Sequence, residues 1–466
     1  MRVSTWCAVL ALSGAPLFAQ TPARQLGWDS LAAEAVRNLS AYLAVNTANP
    51  PGNELTAAQF LQRLLHREGI EAQILDTAEL GPGRANLYAR LGSRGTKKAI
   101  ALVNHLDVVP VMRQFWSVDP FAGLVQDGYV WGRGALDMKG EGMVQLMALI
   151  ALKRSGVPLT RDIVFIGNAD EEVGGAGAEV FVRRHADLLR DVEFLMTEGG
   201  DNLVDDGHLT YYGVGVAEKR AFWQRITVRG TPSHGSRPTK QNPVPHLVDA
   251  LSRLGHYETP LHVTPGVAKY FRDIAPRYAA PQRAWLADVA TAITDSSARA
   301  WITTNVYWNA ILRNTISLTV LSGSNKTNVI PAEATAEVDI RLLPDQDTAV
   351  VRAELMRVVA DTAVHWQTMF PTKAPLDSPI DTDLFRAIVR AAGERDPSVR
   401  VTTPMLTGAT DRPFYRALGI VTYGFDPFKV EKADGQRGVH GNDERVSVAN
   451  VGFGVRFLYD VLRYAQ

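Results

Sequence analysis

Apolar residues recur at helical spacing from Leu26 to Val45 and again from Leu55 to Glu68. The segment NTANPPGN (46–53) breaks the run between them, and Gly69 closes the second. Ala72–Leu75 and Ala85–Leu91 read as strands. From Lys98 the pattern alternates in kind. Short apolar runs at 99–105, 162–168 and 192–197 predict strands, and helically patterned segments at 142–154 and 176–185 lie between them. Strand–helix alternation of this sort predicts an α/β fold with a doubly wound, mainly parallel sheet.

Past Val216 the period changes. Ala221–Val228 alternates like a half-exposed strand, and Thr315–Leu321 and Ala334–Leu342 read as strands. Pro243–Leu254 and Thr348–Asp361 read as helices. Two helices on a small antiparallel sheet predict an α+β domain over 216–371, inserted into a first domain of 25–215. The first domain resumes over 372–466, with helix Thr382–Ala392, strands Val399–Thr403 and Ile420–Gly424, and a closing helix Val446–Tyr464. Residues 256–310, aromatic and Pro-rich, follow neither period.

Composition narrows the class. A chain of 466 residues is long for one core, and two domains are the natural expectation. Hydrophobic residues make up 46% and charged residues 21%, ordinary values for a soluble globular protein. Acids and bases balance at 49 each, so no global field points to nucleic acid or an anionic membrane as partner. The N-terminus has the layout of a secretory signal peptide over 1–19: a basic start, an apolar run Trp6–Leu12, then small residues. The competing reading is a frayed apolar terminus. The signal reading implies a secreted or periplasmic protein. Cys7, the only cysteine, would leave with the signal. A metal site would then be built from His, Asp and Glu. No later apolar segment approaches the length of a membrane span, so no membrane partner is expected once the signal is gone.

Ligands in doubly wound sheets collect outside the carboxyl ends of the strands. His105-Leu106-Asp107, Asp170-Glu171-Glu172 and Glu198 all fall at predicted strand ends. A fourth acid, Asp137, sits in GYVWGRGALDMKG (128–140), where Gly132, Gly134 and Gly140 permit a sharp backbone path. Each group has a plainer reading, as a hydrogen-bonded structural histidine or a solvated loop acid. Acids that follow a buried strand and precede a glycine turn are poorly explained by solvation. Amide hydrolysis assisted by two metal ions needs a carboxylate shared between them, flanking histidine and carboxylate ligands, and a base for the attacking water. His105, Asp137, Glu172, Glu198 and His440 form a donor set suited to two Zn²⁺, which Co²⁺ or Mn²⁺ would also accept. On a strand, Asp107 shares a face with His105 and can orient its imidazole. Glu171, pointing differently from its neighbour Glu172, suits the base.

In order along the chain, NHLDVVP, GRGALDMKG, ADEEVGG, TEGG and HGNDE resemble the M20 family of dinuclear zinc metallopeptidases and amidohydrolases. The resemblance implies one metal on His105, Asp137 and Glu198 and a second on Asp137, Glu172 and His440. It implies Glu171 as base, Asp107 as the orienting acid, and a cis peptide after Asp137. It makes the inserted domain a lid and dimerisation domain, with a homodimer expected through it. His234 in TPSHGSRP would reach an active site, often the partner's, to stabilise the oxyanion. Asn328, Arg341 and Gly408 (in TGAT) would bind the substrate carboxylate and its surroundings. TEGG, ILRNTISLTV and the 256–310 insertion look most like the carboxypeptidase S and N-acyl-amino-acid hydrolase branch. Substrates would then be short peptides or N-acyl amino acids. The insertion's aromatics, including Tyr270, Phe271, Trp285, Trp301, Tyr307 and Trp308, either core an enlarged lid or suit a bulky apolar acyl group. The competing functions are a strict dipeptidase of the same family, a non-catalytic metal or amino-acid binder on the same fold, and a phosphoesterase. Glu171 argues against the binder, and the lack of a basic phosphate clamp argues against the phosphoesterase.

Overall fold

The computed structural model describes residues 24–370, 377–431 and 438–466. The expected signal peptide with Cys7, and the expected return to the first domain at 372, lie outside the described residues. A six-stranded sheet organises the first domain. Its strands are β1 (Ala72–Leu75), β2 (Asn86–Leu91), β3 (Lys97–His105), β4 (Arg161–Asn168), β5 (Val192–Thr197) and β6 (Val421–Gly424). They lie in the order β1-β2-β4-β3-β5-β6. Only β2 runs against the others, pairing antiparallel with β1 and β4. The strands β4, β3 and β5 are parallel neighbours, so their carboxyl ends meet on one edge.

Successive residues of a strand point to opposite faces, and both faces of this sheet are covered. Ile100 and Leu102, with Ile163 and Phe165, face a core that includes the helix Lys139–Ser155. Ala101 and Val103, with Val164 and Ile166, face a second core closed by Phe181 of the helix Ala176–His185 and by Tyr415. Each large apolar side chain buried this way contributes roughly 1.5–3 kcal/mol. Lys139–Ser155 is buried almost all round, because the helices Trp28–Leu43 and Val448–Tyr464 pack on its far side. No described helix is long and apolar enough to cross a membrane.

The inserted domain carries a five-stranded antiparallel sheet of Arg220–Ala221, Glu333–Leu342, Gln224–Arg229, Val364–Thr368 and Thr315–Ser322. Glu333–Leu342 alternates between buried and less buried positions along its whole length. Val338, Ile340 and Leu342 share a core with Leu247 and Leu251 of one helix and Leu355 of another. Those helices, Pro243–His256 and Thr348–Val359, begin where Asn242 and Asp347 accept main-chain N–H groups of their first turns.

The segment 256–310, placed with the lid on sequence grounds, packs elsewhere. It folds into short helices: Pro265–Ile274, Gln282–Ala287, Val289–Ala292, Ser296–Thr304 and Val306–Ile311. Val267, Tyr270, Phe271, Ile302 and Trp308 belong to the core of the first domain, and none of them joins the core of the lid. Tyr270 meets Tyr211 edge to face, and Tyr307 Oη donates to the Met405 carbonyl. The aromatics are therefore largely core, but core of the first domain rather than of the inserted one.

Candidate metal centre

Three neighbouring strands deliver the first groups. β3 ends on His105, which sits beside Asn168 at the end of β4; the Asp170–Glu172 turn follows β4, and Glu198 follows β5. Asp137 comes from the loop that leads into the helix Lys139–Ser155, and His440 comes from the loop before the closing helix. Gly134 in that first loop has φ +91°, where a Cβ would lie 2.8 Å from Val108 Cγ1. A Cβ on Gly140 would collide with the Ala135 carbonyl. Both glycines are thus required by the path that aims Asp137, and the Asp137–Met138 peptide bond is cis.

The two oxygens of Asp137 face different histidines. Oδ1 lies 3.0 Å from His105 Nε2, and Oδ2 lies 3.0 Å from His440 Nε2, which is also 3.1 Å from Glu172 Oε2. Ligand atoms of His105, Asp137 and Glu198 fall within 4.8 Å of one another, as do those of Asp137, Glu172 and His440. Asp137 belongs to both groups. Glu172 Oε1 is a buried oxygen with no hydrogen-bond partner among the described residues. A shared carboxylate, two imidazoles and an orphaned buried oxygen fit a pair of divalent cations.

The electrostatics agree with that fit. Burial raises the Glu198 and Glu171 carboxyls well above the usual range; Asp137 adds to the rise at Glu198, and Glu198 adds to the rise at Glu171. Burial would lower His105, yet the hydrogen bond to Asp137 and the charges of Glu198 and Asp137 push it well above its ordinary value. Hydrogen bonds to Asp137 and Glu172 raise His440 to about 10. No hydrogen bond ties the Glu171 carboxyl oxygens among the described residues, and this carboxyl feels the charges of Glu198 and His105.

Asp107 meets the His105 imidazole through its main chain. His105 Nδ1 lies 2.9 Å from the Asp107 main-chain carbonyl, while the carboxylate oxygen stands off at 3.6 Å. The chain leaves the strand at His105, so strand spacing no longer applies. The buried carboxylate instead accepts the main-chain N–H groups of Glu171 (3.1 Å) and Glu172 (3.2 Å). It also accepts Asn49 Nδ2 at 2.8 Å.

Residues not singled out in the sequence hold the frame. Asn49 Nδ2 also donates to Asp170 (2.9 Å), which takes Arg84 Nη2 at 2.7 Å. Arg84 in turn pairs with the buried Glu54. Glu444, the last residue of HGNDE, accepts main-chain N–H groups from the Asp137 loop and pairs with Arg133. Its place in a motif that already supplied His440 was the available signal.

The remaining expected site residues are not drawn to this cluster by any contact among the described residues. His234 is exposed, and its Nδ1 lies 2.8 Å from Ser236 Oγ. Asn328 is exposed in the turn just before the facing strand Val329–Ile330, where its carbonyl accepts the Gly235 N–H. Arg341 is paired with Asp339 at 2.7 Å and lies over the Trp223 ring. Gly408 is half-buried in the loop before the short helix Arg412–Arg416.

A mainly parallel α/β body with a lid, and two histidine–carboxylate groups sharing one aspartate, define a metal-dependent hydrolase. Residues 101–464 match the family model described as peptidase family M20/M25/M40, and the chain belongs to that family. It is 29% identical over 397 residues to human N-fatty-acyl-amino acid synthase/hydrolase PM20D1, covering 82% of this chain and 77% of that protein. It is 27% identical over 421 residues to human aminoacylase-1, covering 88% of this chain and 89% of the relative. The crystal structure of the M20 family metallo-carboxypeptidase Sso-CP2 from Sulfolobus solfataricus aligns with a TM-score of 0.72 at 17% identity. That alignment covers 93% of this chain and 99% of the other, a likeness of fold.

Proposed function

We propose that this chain is a two-zinc amidohydrolase that cleaves the amide of N-acyl amino acids or of short peptides from their C-terminal end. One observation carries the reading: Asp137 turns one oxygen toward His105 and the other toward His440, each at 3.0 Å. His105, Asp137 and Glu198 would hold one ion, and Asp137, Glu172 and His440 the other. Zinc held there supplies Lewis-acid polarisation of the amide carbonyl and lowers the pKa of water. Glu171 takes a proton from the attacking water and passes it to the leaving amine nitrogen. Its raised pKa suits a group that must both accept and return a proton. Asp107 holds the Glu171 and Glu172 amides and so fixes where the base points.

The relatives support amide substrates of amino acids: an N-fatty-acyl-amino acid synthase/hydrolase and an aminoacylase by sequence. The exposed His234–Asn328 ribbon fits a role completed across a lid-mediated homodimer, with Arg341 and the Gly408 loop taking the substrate carboxylate. Read as an export signal, residues 1–19 would place the protein outside the cytoplasm. The test is hydrolysis by zinc-loaded protein of N-acetyl amino acids, blocked dipeptides and free dipeptides. Release of amino acid from the first two supports the reading, cleavage of free dipeptides alone selects the dipeptidase alternative, and no release from any of them defeats both.

A further inference from the structure

Beside the candidate centre lies a cavity of about 400 Å³ lined by Asp201 and the rings of Tyr211, Tyr270, Tyr278, Tyr307 and Trp308. The polar edges of two of these rings are spent within the wall. Trp308 Nε1 donates to Tyr270 Oη at 3.4 Å, and Tyr307 Oη donates to the Met405 carbonyl at 3.0 Å. Asp201 is the exception. Its carboxylate is open to the cavity yet makes no hydrogen bond or ion pair among the described residues. Asp201 is exposed to solvent, and the protein around it still raises its pKa. Arg277 also lines the cavity, but it is exposed and its guanidinium reaches the Thr210 carbonyl at 3.5 Å.

The cavity wall begins just past Glu198, at Gly200 and Asp201. Asp201 follows Glu198 by three residues, and Leu406 and Thr407, which line the cavity, precede Gly408. These two loops touch, since a Cβ on Gly199 would lie 3.7 Å from Leu406 Cδ2. Asp426 is tied to the same segment, its N–H donating to the Gly199 carbonyl at 2.9 Å and its carbonyl accepting Asn202 Nδ2 at 2.9 Å.

A ligand that fills this cavity would strip water from the unpaired Asp201 carboxylate, and a cation among aromatic faces is the group that offsets that loss. We propose that this cavity is the acyl-side subsite, and that it selects acyl groups ending in a cation, an ammonium or guanidinium on a short linker, with Asp201 as the counter-charge. This rests on the amidohydrolase reading above and adds the substrate class to it. A wholly apolar acyl group would bury its end against Asp201 and leave that acid unpaired.

The experiment compares N-(6-aminohexanoyl)-leucine, N-hexanoyl-leucine and N-(5-carboxypentanoyl)-leucine on the zinc-loaded wild type, Asp201→Asn and Asp201→Ser. In the wild type, kcat/KM for the amine should exceed that for the neutral chain by about tenfold, the scale of one charge-assisted contact, with the acid lowest. In both variants the ratio of amine to neutral should fall to parity or below. A wild type that prefers the neutral chain, or an amine preference that survives in both variants, overturns the proposal. Calorimetric titration with hexylamine and hexanol reads the cavity without turnover. Uptake of hexylamine by the wild type but not by the variants, with no substrate cleaved, would leave the cavity proposal standing and defeat only the hydrolase reading. No preference for hexylamine over hexanol in the wild type overturns the cavity proposal even where substrates are cleaved.

Discussion

Glu444 accepts the main-chain N–H of Asp137 at 3.1 Å, and so holds the residue that faces both histidines. The same carboxylate takes the N–H of Leu136 at 2.7 Å, the N–H of Gly134 at 3.1 Å and Arg133 Nη1 at 2.6 Å. Glycines make the loop's path available, and Glu444 selects that path by satisfying its donors.

Glu444→Ala is therefore expected to destabilise the protein strongly. It strands the Arg133 guanidinium, whose side chain is only 3% exposed, together with three main-chain N–H groups. Removing one partner of a buried pair costs about 3–5 kcal/mol. Glu444→Gln keeps the shape and part of the acceptor capacity, so it should fall between alanine and wild type. Denaturant unfolding of the chelated variants measures this directly. An alanine variant as stable as wild type would show that the loop holds its shape without Glu444.

Asp137 belongs to both candidate ligand groups, whereas Glu198 and Glu172 belong to one each. Asp137→Ala should therefore bind neither zinc ion after dialysis, while Glu198→Ala and Glu172→Ala should each keep one. Elemental analysis of the dialysed proteins, with circular dichroism to verify folding, gives the count. Two zinc ions per chain in Asp137→Ala would remove it as the shared ligand.

How far the chain could be read in advance depended on the range of the interactions. The parallel strands were legible because runs such as Ile163–Ile166 are apolar throughout, and the acids and histidines stand where those runs stop. Asp137 was legible through the glycines around it. For Asp107 the sequence could not tell which group would meet His105, because the inference assumed that the strand continued past His105, and the contact is made by the main-chain carbonyl. Its carboxylate instead turns to the amides of 171 and 172, a contact that no local period encodes. The 256–310 helices span only four to ten residues each, too short for a period to build up. Their caps, such as Thr264 and Asp295, are local signals, but the surface they cover is set by Tyr211 and Met405 far away in the chain. Glu444, Asn49 and Arg84 work only through three-dimensional neighbours and carry no periodic mark.

The chelated protein should show a pH dependence that zinc removes. Hydrogen bonds to Asp137 and then Glu172 raise His440 from 6.5 to about 10. A histidine raised on folding stabilises fully below its unfolded pKa and loses that contribution as pH climbs through the folded value. Stability of the chelated protein should thus decline between about pH 6.5 and 10. Zinc requires the neutral imidazole, so its affinity should rise over the same range. Melting curves with and without zinc, taken from pH 6 to 10, separate the two trends. Parallel curves would mean that His440 does not exchange its proton for metal.

Asn49 offers the sharpest test of how the Glu171 turn is held. Its single amide nitrogen donates to Asp107 at 2.8 Å and to Asp170 at 2.9 Å, so it joins the acid that holds the 171–172 amides to the residue that opens the turn. Asn49→Leu removes both donations at similar volume and leaves the Asp107 and Asp170 carboxylates each one donor short, a cost of roughly 1–3 kcal/mol. Asn49→Asp should be worse than leucine, because it places a third carboxylate against two others where a donor is needed. In both variants a loosened turn displaces the base, and misplacement on the order of 1 Å can lower turnover about 100-fold. Zinc content should fall less than kcat, since Asn49 contacts none of the five candidate ligands. Paired measurements of unfolding free energy, zinc content and kcat decide it. An aspartate variant more stable than the leucine variant would refute the donor role, and unchanged kcat in both would show that the turn is held by Arg84 and the 171–172 amides alone.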